Sequence, residues 1–423
     1  CFRVELKMKI GFVTAFPPEK DGVADYSCSL IESVMKVSVD CTFYVMSRML
    51  DSKPTVTYLD ERVILFRIWR MKSFKNIIRS LVLLIKMIFA TKVDILHIQY
   101  RFTRDAGGSA GEPLCFLMLF VKKIIRKPKV AVSLHDFWLP SEAEQRTHEV
   151  FRSRLASKLY KLYYAVYLRF VLNIPDLIIS IVNFPKSPVT DYIRRYTKRE
   201  VVEVIHGFPK GKGSNIADKK IKIFGAQNSF TILLFGFIRK VKGYDSVIRA
   251  LYKIIQAQPT MERRVKLVIS GFPAPKEERL YLKYLMKLVR NLRMEKVVSF
   301  IPRYLNRDEV DALFRSADVT IAPYTRRVGP SGVLSFALAY EVPTIITTDD
   351  KYITHRISLP ALAVGFYVDE IASAILKLMN DKYEYERQIQ LIRKYKEIYS
   401  NEKIALQHVD LYRKLLSAKK LRQ

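Results

Sequence analysis

Short apolar runs alternate along this chain with stretches whose apolar residues recur every three or four positions. The runs, bounded by turn residues, read as buried strands, and the three-to-four spacing reads as helices with one packed face. In the first half strands are expected over Lys9–Thr14, Cys41–Met46, Val63–Ile68, Asp94–Gln99, Val130–Leu134, Leu177–Ser180 and Val201–Ile205. Helices are expected over Ala24–Val37, Arg70–Phe89 and Arg152–Leu172. The segment Lys210–Asn228 is rich in Gly, Lys and Ser and has little apolar pattern until Ile221, so a domain boundary is placed there.

The alternation then restarts. Strands are expected at Thr231–Phe237, Val265–Ser270, Val297–Ile301, Val319–Ala322 and Thr344–Thr348. The intervening helices are Gly243–Gln256, Lys276–Leu292, Arg307–Arg315 and one from Val333 to Tyr340; Asp369–Asn380 and Glu384–Leu416 finish the chain as helices. Strands alternating with helices twice over imply an α/β fold of two doubly wound Rossmann-like domains. The expected division is 8–212, 213–380, and closing helices at 381–423 with a candidate place back on the first domain.

Ligands of such sheets bind outside the carboxyl ends of the strands. Gly22, His135, Gly236, Arg303 and the loop Tyr324–Gly332 fall at such ends, and they converge if the two domains face each other across a cleft. The loop lies in IAPYTRRVGPSGVLSFALAYEVPTIITT (Ile321–Thr348), a strand, a polar Gly-rich turn, a helix and a strand. Ser331 and Gly332 stand where the helix begins, so free N–H groups and the positive end of the helix dipole face outward there. Phosphate suits such a place, and the Ser331 hydroxyl and Arg326 or Arg327 add donors. A ligand-free N-cap is the alternative, since Ser is also a favoured cap.

Length and charge narrow the classes. At 423 residues, 49% hydrophobic and 12% aromatic, the chain has enough material for two cores and is not globally disordered. No apolar run reaches the ~20 residues of a membrane span, and the first residues lack a secretory pattern. Met8 reads as the true start. The four cysteines have neither metal-ligand spacing nor a paired pattern, from which a reduced, cytoplasmic protein is expected. A formal charge of +31 favours polyanions: anionic lipid surfaces, phosphorylated substrates or nucleic acid. Without a zinc-finger or aromatic RNA-binding motif, nucleic acid falls behind.

Seven motifs in order carry a resemblance: FPPEKDGVADYS (Phe16–Ser27), LHIQYRF with GGSAGE (Leu96–Glu112), LHD (Leu134–Asp136), IHG (Ile205–Gly207), FGFIRKVKG (Phe235–Gly243), SADVTIAPY (Ser316–Tyr324) and PSGVLSFALAYEVPTI (Pro330–Ile345). Together they resemble the retaining glycosyltransferases of the GT-B fold, the large family that includes many mannosyl- and glucosyltransferases, over about residues 9 to 350. The resemblance implies an N-terminal acceptor-binding domain and a C-terminal nucleotide-sugar-binding domain. It gives Lys242 and Arg239 the role of stabilising the leaving phosphate, and His135 a place near the transferred sugar. Gly22, Gly236, Arg303, Tyr324, Ser331, Gly332, Val333 and Leu334 are the implied donor-binding set. The two glutamates, eight residues apart, of most members fall here on Val328 and Phe336, as in members with a Ser-Gly-Val-Leu loop.

The reading is transfer of a hexose, mannose or glucose, with retention, from a nucleotide sugar to a glycan or lipid-linked acceptor. No metal or other cofactor is expected, since neither a zinc motif nor an Asp-x-Asp at a strand end appears, and Asp349-Asp350 reads as the start of a loop. A catalytically silent GT-B binding subunit and a nucleotide-sugar epimerase are the alternatives. The place of action is expected at the inner face of the cell membrane, peripherally bound. There Lys72, Lys75, Arg79 and Lys86 flank a stripe formed by Phe74, Ile77, Ile78, Leu81, Leu84, Ile85 and Ile88; the alternative is that the stripe packs on the first sheet and the charges are simply solvated.

Overall fold

A computed structural model describes residues 7–19, 21–51, 53–70, 74–101, 117–125, 127–135, 137, 154–209, 229–273, 276–325, 331–348 and 360–417. Lys72, the glycines 107, 108 and 111, Asp136, the segment 210–228 with the expected boundary, residues 326–330 and Asp349-Asp350 lie outside them. The chain forms two units, one of residues 1–207 and 400–423, the other of residues 208–399.

Unit 1 holds β1 (Met8–Val13), α1 (Gly22–Val37), β2 (Cys41–Arg48), β3 (Thr55–Asp60), β4 (Val63–Trp69), α2 (Phe74–Thr91) and β5 (Ile95–Tyr100). After a helical segment, 117–125, come β6 (Lys129–Leu134), α3 (Arg154–Val171), β7 (Leu177–Val182), α4 (Pro188–Arg194) and β8 (Glu200–Ile205). The strands make one sheet in the order β3-β4-β2-β1-β5-β6-β7-β8, parallel except for the β3–β4 pair. Alternate residues of β5 face opposite sides, as a period of two requires. Leu96, Ile98 and Tyr100 meet Leu84 and Ile88 of α2, Val121, and Tyr164 and Leu168 of α3 in one core.

The other side of this sheet carries α1 and the last helix of the chain, α11 (Asn401–Ser417). The His97 ring lies edge-on to Phe12, its Nδ1 is 2.7 Å from the Tyr412 hydroxyl, and its Nε2 is 2.8 Å from Ser133 Oγ. Along its length α11 is tied by Gln407, which donates to the Glu203 carbonyl at 3.0 Å, and by Arg413 at 2.9 Å from Asp40.

Unit 2 begins with β9 (Phe230–Phe235), α5 (Tyr244–Ala257), β10 (Val265–Ser270), α6 (Lys276–Asn291), β11 (Val298–Ile301) and α7 (Arg307–Ser316). It continues with β12 (Val319–Ala322), α8 (Gly332–Ala339), β13 (Thr344–Thr347), β14 (Leu362–Val364), α9 (Val368–Asn380) and α10 (Lys382–Ile398). All its strands pair in parallel, in the order β11-β10-β9-β12-β13-β14. Ile232 and Leu234 join Val247, Leu251 and Leu285 in the core on one face. Leu233 joins Phe314 and Ala337 on the other.

The two-sheet α/β organisation agrees with the sequence pattern, and the differences are local. The strand expected to reach Phe237 stops at Phe235, because Gly236 turns to φ +111°. All six residues of β3 are exposed, so this edge strand has no buried face to signal it. The helical stretch expected over Glu384–Leu416 divides between Ile398 and Asn401 into α10 in unit 2 and α11 in unit 1.

The four described histidines, His97, His135, His206 and His408, are all in unit 1. Burial pushes His206 and His408 down to about 4, and holds His97 and His135 well below the usual imidazole range. An imidazole held neutral in the fold binds fewer protons than the unfolded chain between these limits. Its stabilisation is therefore full above about pH 6.5 and is lost as pH falls toward 4. For the fully buried His408 the loss is on the order of 3 kcal/mol. Urea denaturation at stepped pH should show stability falling from pH 6.5 to 4, and His408→Leu should flatten that slope. An unchanged slope in the variant would assign the acid sensitivity elsewhere.

Candidate functional site

Close backbone approach at the carboxyl ends of β9, β10 and β12 builds the site in unit 2. Gly271, at φ +156°, passes so near Gly236 that an added Cβ would stand 1.6 Å from the Gly236 carbonyl oxygen. Gly243, at φ +62°, comes equally close to the loop after β12: its Cβ would stand 2.1 Å from the Pro323 carbonyl oxygen. The Thr325 N–H donates to the Val241 carbonyl at 3.1 Å and joins the same two loops.

This joining brings expected site residues together. The Lys242 ammonium lies 3.9 Å from the centroid of the Tyr324 ring, a cation–π contact. The Tyr324 hydroxyl is 2.6 Å from Ser331 Oγ, and Thr347 Oγ1 donates to the Tyr324 carbonyl at 2.8 Å. Ser331 caps α8, its hydroxyl accepting from the Leu334 N–H at 3.4 Å. The next N–H groups, of Gly332 and Val333, precede any intrahelical acceptor. Among the described residues, a Cβ on Gly332 would meet nothing within 4 Å, so none of them fills the space at the helix start. Gly236 faces Val333, with 3.4 Å between its ideal Cβ and the valine Cγ2. Lys242, Tyr324, Ser331, Gly332 and Val333, with Gly236 behind them, therefore form one cluster. Leu334 is buried beneath it.

Two expected cations are neutralised. Arg239 lies 2.5 Å from Glu278 and over the Phe237 ring at 5.0 Å. Arg303 grips Glu309 through two contacts of 2.9 and 2.5 Å, within the capping box of α7. That grip and the Asn306 N–H hold the Glu309 carboxyl down at about 2. Among the described residues no carboxylate is in ion-pair contact with Lys242, the cation left uncompensated in the cluster. Phe336, where most relatives by resemblance have a glutamate, packs against Phe235 and Phe314 instead.

In unit 1, His135 follows β6 and is buried, with its Nε2 2.5 Å from Gln99 Oε1 and its ring edge-on to Tyr26. The Gln99 amide nitrogen is 3.2 Å from His97 Nε2, so a chain of polar contacts runs from Tyr412 through His97 and Gln99 to His135. Burial, and then Arg101, His206 and His97, keep this imidazole neutral. Such a ring accepts through Nδ1 when Nε2–H donates to Gln99. The His206 ring lies 5.1 Å from the Tyr26 ring, against which His135 also packs. Gly22 opens α1, whose cap Asp21 accepts from the Val23 N–H and pairs with Arg101 at 3.0 Å. Gln99 and Tyr412 were not legible as site residues: one lies inside a strand pattern, the other 313 residues away.

Most of the apolar stripe of α2 packs on the core, and of its described members Ile78 alone is exposed. Leu84 and Ile88 are buried in the core, and Leu81 and Ile85 pack against it, because a crossover helix spends that face on the sheet. Trp69, at the preceding strand end, is buried and donates to the Met46 carbonyl. Lys75, Arg79 and Lys86 are exposed. Among the described residues, no group of three or more metal-ligating side chains stands together, and no helix is long and apolar enough to cross a membrane.

Residues 216–395 match the family described as Glycosyl transferases group 1. This segment is similar to that family along most of unit 2. The match lies within the alternating second half of the chain, and the likeness it gives is to a family of enzymes. Several solved structures share the whole GT-B fold. A sucrose-phosphate synthase from Thermosynechococcus elongatus is 15% identical with a TM-score of 0.68, covering 97% of this chain and 100% of its own. A UDP-forming trehalose-phosphate synthase from Burkholderia xenovorans is 12% identical with a TM-score of 0.71, over 97% and 99% of the two chains. The Anabaena protein HepE in complex with UDP is 14% identical with a TM-score of 0.65, over 96% and 99%. No curated protein matches the sequence.

Two outcomes follow for unit 2. Gly243→Ala should destabilise unit 2 by more than the roughly 1–2 kcal/mol of a left-handed residue alone, because its Cβ meets backbone that cannot swing away. Urea unfolding measures this, and a smaller loss would mean that the two loops separate freely. Gly332→Val should abolish binding of nucleoside diphosphates in calorimetry while leaving the melting temperature near wild type. Ser331→Ala should weaken that binding less and cost about 1 kcal/mol as a lost cap. Equal affinities in both variants and wild type would leave the helix start without a ligand.

Proposed function

We propose that this chain transfers a hexose from a nucleotide sugar to an acceptor hydroxyl with retention at the anomeric carbon. The bond from that carbon to the diphosphate oxygen breaks, a bond to the acceptor oxygen forms, and nucleoside diphosphate and a proton are released. The observation that carries this reading is the uncompensated Lys242 ammonium beside the open start of α8. A diphosphate at that start meets the N–H groups of Gly332 and Val333 and the Ser331 hydroxyl, while Lys242 offsets the charge that grows as the leaving group departs. The UDP named with HepE and with the trehalose-phosphate synthase makes uracil the first base to test. Transfer without a metal is part of the proposal, with Lys242 and the helix start serving as the diphosphate's counter-charge.

His135, with Nδ1 as acceptor, is assigned to a hydroxyl of the transferred sugar. Unit 1 receives the acceptor, a glycan or lipid-linked glycan at the cytosolic face of a membrane. Lys242→Ala should lower kcat with labelled UDP-glucose or GDP-mannose by about 10²–10³-fold, roughly 2.7–4 kcal/mol, with the fold intact. Wild-type turnover in the variant would remove Lys242 from the reaction. Thermal stabilisation by a nucleotide sugar with no transfer or hydrolysis would instead favour a silent binding subunit, the reading that Phe336 in a glutamate's place supports.

A further inference from the structure

We propose that unit 1 docks on an anionic lipid bilayer through the outer faces of α3, the segment 117–125 and α2, with α3 at the centre. All three bury their inner faces in one core, on the same side of the eight-stranded sheet. They precede or connect β5, β6 and β7, which are neighbours in that sheet, so they share one layer.

At 100° per residue, Ser157, Tyr164, Leu168 and Val171 of α3 fall on the buried side. On the opposite side Leu155, Leu159, Leu162, Tyr163, Val166 and Phe170 make an apolar stripe about 100° wide. These residues are exposed: Leu155 by 69%, Leu162 by 65% and Val166 by 60%. Arg154, Lys158, Lys161 and Arg169, also exposed, all fall along one border of the stripe. On α2 the exposed Ile78, Val82 and Phe89 form a narrower strip beside Lys75, Arg79 and Lys86, which lie opposite the buried face. Between the two helices in the chain, Phe120 and Ile124 are exposed beside Lys123.

The chemistry of the face selects its occupant. None of the three segments contains an Asp or Glu. A second copy of this chain would bring seven or more basic groups against their own kind, and like charges across an interface are repulsive. Nucleic acid would satisfy the cations but would leave the leucines of the stripe without an apolar partner, since it offers phosphate and stacked bases. An anionic bilayer meets both demands: headgroups take the lysines and arginines, and the acyl boundary takes the leucines, valine and phenylalanines. An apolar patch of this extent on a soluble face marks an interaction site.

The inference rests on the membrane-side reading of the acceptor for its purpose, but it makes a separate measurement. The purified full chain is co-sedimented with phosphatidylcholine vesicles, with and without phosphatidylglycerol, beside three variants. One changes Leu155, Leu162 and Val166 to Ser, one changes Arg154, Lys158 and Arg169 to Gln, and one is Lys242→Ala. Wild type and Lys242→Ala should pellet with the anionic vesicles alone, and each of the two face variants should lose about tenfold or more in partition. Both face variants should keep the nucleotide-sugar thermal shift of wild type, so failure of docking is distinguishable from failure of donor binding. Wild type remaining in the supernatant at every composition would overturn the proposal, as would face variants that pellet like wild type. A concentration-dependent dimer abolished by the Leu/Val variant, without vesicle binding, would overturn it in favour of a second copy.

Discussion

Backbone passing closer to backbone than any side chain permits is the constraint on which unit 2 depends. Gly271 against Gly236 and Gly243 against Pro323 pull three strand ends into contact. Parallel strands alone leave their carboxyl ends apart, because each continues into a loop of its own length. With the glycines in place, the loop after β9 lies against the loop after β12, and a lysine from the first meets a tyrosine and a helix start from the second. The chemistry proposed for the cluster is thus set by three residues that have no side chain to contribute.

Much of this was legible in the residues. Buried parallel strands announce themselves as β-branched runs, and β9, β10, β12 and β13 lie where those runs do. Ser331-Gly332 was legible as a helix start because cap chemistry is local. What escaped depends on distance or on missing contrast. β3 has no buried face to break its polar appearance. The α2 spacing identifies one apolar face correctly, but spacing cannot tell a sheet from a bilayer. The outer stripe of α3 is hidden for the same reason: a helix apolar on two opposite sides shows weaker periodicity than a helix apolar on one. Tyr412 reaches His97 only after the chain has crossed the whole second unit.

Charge in this protein is less uniform than the +31 total implies. Arg239 and Arg303 end on glutamates, which fix loops and caps rather than await ligands. The outer layer of unit 1 keeps its cations at a border between water and apolar surface. In the core beneath α11 the opposite choice is made, and imidazoles are held neutral among hydroxyls and an amide. Hydrogen bonding replaces charge where water is excluded.

The return of α11 to unit 1 has a consequence for biosynthesis. Residues 208–399 form a contiguous unit, whereas unit 1 needs residues 401–417 to cover one face of its sheet. On the ribosome the half that begins later therefore closes first. The earlier half waits, with the side of β5 that bears His97 uncovered, until the last helix emerges. A nascent chain of this design has an interval in which one domain is native and the other carries an open sheet face, and that interval lengthens with every residue of the inserted unit.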